Sequence, residues 1–201
     1  MKIQKAGDCP YIVVDNFLDD YELIECWKTV DSLKISGLAG PDVTGSALNL
    51  KTMQPVKKNR GVWLTEIYDK YPGLCPLIEV FIPKHADVRT QLIEKHPAFR
   101  CLSQITYSML LSYYGNDDRY EDHRDNSQVT TLFWLCKEEQ RFTGGDLILE
   151  GTETVEFKNN RLIMFPGYTH HEVTPVTMNP HYDALGLGRW TLTMFSDPQQ
   201  L

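Results

Sequence analysis

No stretch of this chain approaches the ~18 consecutive apolar residues that a membrane-spanning helix needs. The opening MKIQKAGDCPYIVVDNF lacks an apolar core followed by a small-residue cleavage site, so no leader peptide and a cytoplasmic location are expected. Basic residues are in short supply: 20 Lys and Arg face 27 Asp and Glu, for a formal charge of −7. A nucleic-acid surface needs a basic stripe, so a nucleic-acid partner is not expected. Cys9, Cys26, Cys75, Cys101 and Cys136 are odd in number and scattered, with no C-x-x-C. That excludes a disulfide framework and a thiolate zinc site. Internal repeats and low-complexity tracts are missing too.

What remains has the ordinary composition of a globular chain, 201 residues with 42% hydrophobic and 23% charged. It is long enough to bury a sizeable core, and one domain over 1–201 is expected. YIVVDNFL reads as a strand running into a helix, with Asp19 or Asp20 as N-cap and Leu23, Ile24, Trp27, Val30 and Leu33 as its apolar stripe. Residues 36–62, rich in Gly, Pro, Ser and Lys, read as a long polar connection that could cover a site. Residues 73–99 look helical in pieces, punctuated by Pro76, Pro83 and Pro97. From about residue 103, short strand-like runs alternate with turn signals at Asn116-Asp117, Gly144-Gly145 and Asn159-Asn160. The expected fold is mostly β with α: a cupin-like jelly roll, or double-stranded β-helix, over 101–201, buttressed by N-terminal helices and a loop within 1–100.

The chemistry concentrates in YEDHRDNSQVTTLFWL, Tyr120 to Leu135. Alternation sends His123 and Asp125 to one side and Arg124 to the other. In FPGYTHHEVTPV the same rule separates His170 from His171. Facing His171 inward carries Val173 and Pro175 with it, whereas the opposite register would bury Glu172 without a partner, at a cost of several kcal/mol. His171 is therefore the inward histidine. Two imidazoles and one carboxylate leave coordination positions open, as in the facial triad of non-haem Fe(II) sites, although zinc accepts the same donors. In GRWTLTMF, Arg189, Thr191 and Thr193 share one face and Trp190, Leu192 and Met194 the other. An inward arginine needs an anion: a carboxylate ligand, or Asp146 or Glu156 of the chain itself.

In order along the chain come Tyr113…Gly115…Tyr120-x-x-His123-x-Asp125, Thr143-Gly144-Gly145-Asp146-Leu147, Asn160-Arg161-Leu162…Phe165-Pro166, His171-x-Val173-x-Pro175-Val176 and Arg189-x-Thr191. This series resembles the 2-oxoglutarate- and Fe(II)-dependent oxygenases, in their prolyl 4-hydroxylase-like branch, over roughly residues 100–196. The resemblance implies that His123, Asp125 and His171 ligate Fe(II). It further implies that Arg189 receives the distal carboxylate of the cosubstrate 2-oxoglutarate, assisted by Thr191, and that Tyr113 donates a hydrogen bond to it. The reaction so implied consumes O2, with ascorbate as a candidate reductant, and hydroxylates an unactivated C–H bond with release of succinate and CO2.

The chain departs from the pattern in three places. Trp134 stands where relatives carry a second cosubstrate-binding tyrosine, and Tyr114 replaces a proline. The segment TMNPHYDALGLG, expected as a long hairpin loop, separates Val176 from Arg189 and offers His181 as an alternative ligand. His85 and His96 are expected in solvent, and Phe133, Trp134, Trp190 and Phe195 in the core. The substrate implied by the resemblance is a prolyl residue in a peptide or protein, with a free amino acid or small metabolite as the alternative. The strand half shows no second inward cation beside Arg189, which weighs against a small charged substrate. The rivals are a non-catalytic metal-binding jelly roll and a zinc hydrolase using Glu121 or Asp122 as base.

Overall fold

The computed structural model describes residues 2–49, 51–137 and 139–199. Among the described residues, fourteen strands run in chain order: β1 Ile3–Ala6, β2 Cys9–Asp15, β3 Lys57–Lys58, β4 Arg60–Trp63, β5 Ile105–Tyr114, β6 Arg119–His123, β7 Val129–Leu135, β8 Phe142–Thr143, β9 Leu147–Leu149, β10 Glu153–Val155, β11 Arg161–Pro166, β12 His171–Val173, β13 Thr177–Met178 and β14 Arg189–Pro198. The helices are α1 Asp20–Ser32, α2 Pro41–Thr44, α3 Leu64–Lys70, α4 Pro76–Lys95 and α5 Pro180–Ala184. A seven-stranded antiparallel sheet in the order β1-β2-β11-β7-β14-β5-β4 faces a five-stranded one in the order β10-β9-β12-β6-β3. The first hundred residues are thus more than helical support, because β1 to β4 complete both sheets.

Alternation along the large sheet separates its two faces. Val62, Leu111, Leu192, Phe133, Leu162 and Val14 align as one row across six strands on the outer face. There they pack with Cys26 and Val30 of α1 and with Leu77, Ile78, Phe81 and Leu92 of α4. The inner face carries Leu132, Trp134, Ile163 and Phe165, which meet Leu147 and Leu149 of the small sheet. These two apolar layers leave one end of the space between the sheets open, lined by polar side chains.

Helix α1 begins at Asp19, whose side chain accepts from the Glu22 amide at 2.9 Å while Glu22 accepts from the Asp19 amide at 2.8 Å. Its stripe is narrower than expected: Leu23, Trp27, Val30 and Leu33 pack inward, whereas Ile24 stays exposed. Of the pieces expected over 73–99, those on either side of Pro83 join into one helix, α4, with Pro76 in its first turn. Pro83 and Glu79 both lie on the exposed side, so the Glu79 carbonyl that loses its partner faces solvent. Pro97 then opens a 3-10 turn. The TMNPHYDALGLG segment folds into β13 and α5 and is no open loop. Cys9, Cys26, Cys75 and Cys136 are free thiols. No helix among the described residues is long and apolar enough to cross a membrane.

Candidate active site

Strand β6 ends at His123, and β12 begins at His171, directly opposite it in the antiparallel pair. That pairing brings the two imidazole rings to 4.1 Å between centres. Asp125 lies two residues past the end of β6, where its amide donates to the Gly167 carbonyl at 2.9 Å. Gly167 is required there, since a Cβ would sit 1.9 Å from the Ser127 carbonyl oxygen. Asp125 therefore reaches back between the histidines, Oδ1 at 3.7 Å from His123 Nε2 and Oδ2 at 3.4 Å from His171 Nε2. The three ligand atoms lie within 4.8 Å of one another, and no other such cluster of three or more donors occurs among the described residues.

The hydrogen bonds around the triad orient it. His123 Nδ1 lies 2.8 Å from the Glu121 carbonyl and His171 Nδ1 lies 2.9 Å from the Thr169 carbonyl. A carbonyl oxygen only accepts, so each Nδ1 carries the proton and each Nε2 presents its lone pair to the common centre. Thr130 Oγ1 donates to Asp125 Oδ2 at 2.5 Å. Burial, and then the neighbouring His171, push His123 down to about 3, which keeps it a neutral ligand. Tyr120 stacks on the His123 ring at 3.5 Å between centres. His170 faces outward as alternation requires, its Nδ1 3.0 Å from Asp122. Val173 is buried with His171, but β12 ends there; Pro175 is exposed and Val176 takes the buried place instead.

A cavity of about 560 Å³ opens from the triad. Arg189, Thr191, Thr193, Phe195 and Asp197 line it in sequence along β14, and Tyr114, Ser112, Leu110 and Ser108 along β5. The Arg189 guanidinium is completely buried, packed on Tyr114, Trp134 and Phe157 with its carbon 4.8, 5.0 and 5.7 Å from the ring centres. Nη1 donates to Thr191 Oγ1 at 2.5 Å, whereas Nε and Nη2 have no partner. Burial pushes Arg189 down to about 10, still charged at neutral pH. Asp146 does not pair with it: its Oδ1 accepts from the Phe157 amide. Arg161 and Lys158 are spent on Asp15 at the opposite edge, at 2.6 and 3.0 Å. Gly145, at φ +75°, makes room for Arg189, whose Cδ would lie 2.6 Å from a Cβ at that position.

The placement of Tyr113 is a correction. It lies on the helix-facing side of β5, and its hydroxyl donates to Asp183 and accepts from the Gly188 amide at 3.2 Å. Tyr114, directly opposite Arg189 in the ladder, faces the cavity instead. His85 is a second correction: it is buried on α4, 3.2 Å from Thr131 Oγ1, and is not solvated. His96 is half-buried and caps the 3-10 turn by accepting from the Ala98 amide. Phe133, Trp134 and Trp190 are core residues, but Phe195 joins Trp63 in the cavity wall at 6.0 Å between ring centres. His181 is exposed on α5 and is not part of the cluster of His123, Asp125 and His171. Glu121 and Asp122 are also exposed, which leaves the zinc-hydrolase reading without its base.

Six cavity residues come from the polar 36–62 connection, Thr44, Gly45, Ser46, Ala47, Lys57 and Asn59, and none was singled out in the sequence. Lys57 is buried, its Nζ 3.0 Å from Thr44 Oγ1 and 3.1 Å from the Gly45 carbonyl. Burial pushes it down to about 8, against the pull of Asp125. Asn59 is buried beside Tyr114, with neither side-chain atom in a hydrogen bond of good geometry. The only hint in the sequence was the alternation Lys57, Asn59, which becomes meaningful once 57–58 and 60–63 are known to be strands.

Residues 109–197 match the family model of the 2OG-Fe(II) oxygenase superfamily. A PKHD-type hydroxylase of Synechococcus sp. is 27% identical over 48% of this chain and 48% of the relative, so the chain matches about half the length of the curated relatives. Among solved structures, a Pseudomonas putida prolyl-4-hydroxylase superposes with a TM-score of 0.61 at 16% identity, covering 94% of this chain and 93% of that one. The viral collagen prolyl hydroxylase of Paramecium Bursaria Chlorella virus-1, solved with 2OG, gives 0.59 at 16% identity over 92% and 94%. The double-stranded β-helix expected from the strand pattern is the fold these neighbours share.

Proposed function

We propose that this chain, a prolyl 4-hydroxylase-like 2OG-Fe(II) oxygenase in its residues 109–197, hydroxylates an unactivated C–H bond with consumption of 2-oxoglutarate and O2. The observation that carries this reading is Arg189. A fully buried cation with two unpaired nitrogens, facing the same cavity as the His-Asp-His cluster, is costly unless an anion meets it there. A dicarboxylate that chelates a metal at one end and reaches Arg189 at the other satisfies both groups.

The donor set fits iron: His123, Asp125 and His171 would hold it, with one face left open. When bound, Fe(II) with 2-oxoglutarate and O2 supplies oxidative decarboxylation to succinate and CO2 coupled to C–H hydroxylation, with ascorbate as a candidate reductant. The rest is the work of the chain. The Glu121 and Thr169 carbonyls hold the tautomers, and Thr130 fixes the carboxylate. Tyr114, Trp134 and Phe157 keep water from Arg189, while Thr191 shares its donor. Trp63, Leu110 and Phe195 supply an apolar wall for the carbon skeleton to be oxidised.

A prolyl residue in a peptide is the substrate reading supported by the names of the structural neighbours. A small-molecule substrate is favoured by a different observation, the buried Lys57, taken up below. The enzyme reading is tested by adding 2-oxoglutarate to the anaerobic Fe(II) protein. The oxygenase forms the visible charge-transfer band of the chelate and, on admission of O2, yields succinate. A metal-binding jelly roll or a zinc hydrolase does neither.

A further inference from the structure

We propose that Lys57 is the substrate anchor and that it receives a carboxylate, so that the substrate is a free carboxylic acid such as an amino acid. This deepens the oxygenase reading and rests on it. Lys57 is 6% exposed and lines the cavity, yet no carboxylate of the described residues pairs with it. Its two partners, Thr44 Oγ1 and the Gly45 carbonyl, are neutral. An ammonium has three donors, so one is left for the cavity.

The charge balance points the same way. The inner wall holds two cations, Lys57 and Arg189, and one anion, Asp125. Asp125 is the carboxylate whose charge acts on Lys57, but it makes no ion pair with it and would be taken up as an iron ligand; Lys57 is then left without an anion in contact. The remaining charges, Arg124 and Asp197, are exposed at the rim and of opposite sign. An internal residue of a peptide would offer Lys57 an amide carbonyl and leave a buried charge uncompensated, whereas a carboxylate cancels it. Lys57 also sits on the iron side of the cavity: β3 pairs it with Tyr120, whose ring stacks on His123. A carboxylate held there places the adjoining carbons beside the open face of the triad, with Trp63, Leu110 and Phe195 to take an apolar side chain.

The test uses the whole chain, anaerobic and loaded with Fe(II) and 2-oxoglutarate. The common L-amino acids and short aliphatic acids, each paired with its primary amide, and proline-containing peptides with blocked ends are titrated by calorimetry. At least one acid should bind, its amide at least tenfold more weakly. In Lys57→Gln that acid should lose about ten- to a hundredfold in affinity. Lys57→Arg, which keeps the charge, should recover part of the loss. The charge-transfer band is read in the same samples: it should form in all three proteins, because Arg189 and the triad are untouched. A missing band in the wild type sinks the oxygenase reading itself. With the band present, binding of no acid, equal binding of acid and amide, preference for a blocked peptide, or unchanged affinity in Lys57→Gln each overturns the Lys57 assignment alone.

Discussion

Arg189 lies directly opposite Tyr114 across the β5–β14 ladder, its guanidinium carbon 4.8 Å from the centre of the tyrosine ring. The ring seals the charge from water but cannot neutralise it, and Nε and Nη2 have no hydrogen-bond partner, which is where the proposed cosubstrate carboxylate would dock. Arg189→Ala should weaken 2-oxoglutarate about ten- to a hundredfold, the range of a charge-assisted hydrogen bond of roughly 1.5–3 kcal/mol. Iron affinity should change little, since Arg189 is no ligand. Titrating cosubstrate into the Fe(II) protein and following the chelate band measures both. Unchanged cosubstrate affinity would move the anchor away from Arg189.

The strand parity of β12 makes a sharper claim. His123→Ala, Asp125→Ala and His171→Ala should each abolish iron-dependent turnover and drop bound metal to background. His170→Ala should keep most of both, because that ring faces outward to Asp122. Metal content by elemental analysis, measured beside succinate release, decides it. Iron lost from His170→Ala and retained by His171→Ala would reverse the register.

Tyr113 and Tyr114 should separate stability from cosubstrate binding. Tyr113→Phe deletes the bonds to Asp183 and Gly188 and should cost about 0.5–1.5 kcal/mol in urea unfolding, with 2-oxoglutarate affinity unchanged. Tyr114→Ala opens the shield over Arg189 and should weaken the cosubstrate severalfold. A loss of cosubstrate affinity in Tyr113→Phe, with Tyr114→Ala silent, would restore the sequence motif over the structure.

Parity reached the inward placement of His171, whereas Tyr113 was taken from the family resemblance, and the difference has a physical explanation. Within one strand, alternation relates Arg189 to Thr191 and His171 to Val173 without knowledge of any neighbour. Choosing between Tyr113 and Tyr114 requires the register of β5 against β14, a pairing between segments some seventy residues apart that no local pattern encodes. Lys57 was hidden for the same reason, since a Gly- and Lys-rich connection gives no hint that two of its residues add an edge strand to the small sheet. Burial also overrode local polarity at His85, which sits among Lys84, Asp87 and Arg89 in sequence yet turns its own face of α4 to the core. Pro83 was over-read as a break because a proline on the solvent side of a helix exposes its unpaired carbonyl to water.

His85 gives a pH dependence with a definite sign. Burial, then the charge of Arg89, push it down to about 4 from an ordinary 6.5. Below 6.5 the unfolded chain takes up a proton that the native site refuses, so the contribution is full above pH 6.5. It is lost progressively as pH falls toward 4. The lost stability is at most about 3.5 kcal/mol. His85→Gln keeps a partner for Thr131 but cannot titrate, so its unfolding free energy should fall less steeply than the wild type between pH 6.5 and 4. Parallel curves in urea would mean that His85 takes a proton without penalty.

The wall formed by Thr44–Ala47 is bonded to Val56, Lys57 and Tyr120, and the last of these bonds reaches the triad. The Ala47 amide donates to the Tyr120 hydroxyl at 3.0 Å, and the same tyrosine stacks on His123. Beyond Ala47 the chain turns back through an exposed bend, with Leu48 bridging to Pro55 and Met53 exposed at φ 55°. Lys51 in that bend is exposed and open to trypsin, whereas Lys57 is buried. Opening the wall breaks the Ala47–Tyr120 bond together with those to Val56 and Lys57. Tyr120→Phe removes about 0.5–1.5 kcal/mol of that cost, which should speed cleavage after Lys51 about two- to tenfold when opening precedes cutting. Filling the cavity with iron and 2-oxoglutarate should slow cleavage in the wild type, since Thr44, Gly45, Ser46 and Ala47 line the occupied space. In Tyr120→Phe the protection should shrink, because the link between the wall and the histidine ring is gone. Equal cleavage rates with and without the ligands would show that the wall stands independently of the site it borders.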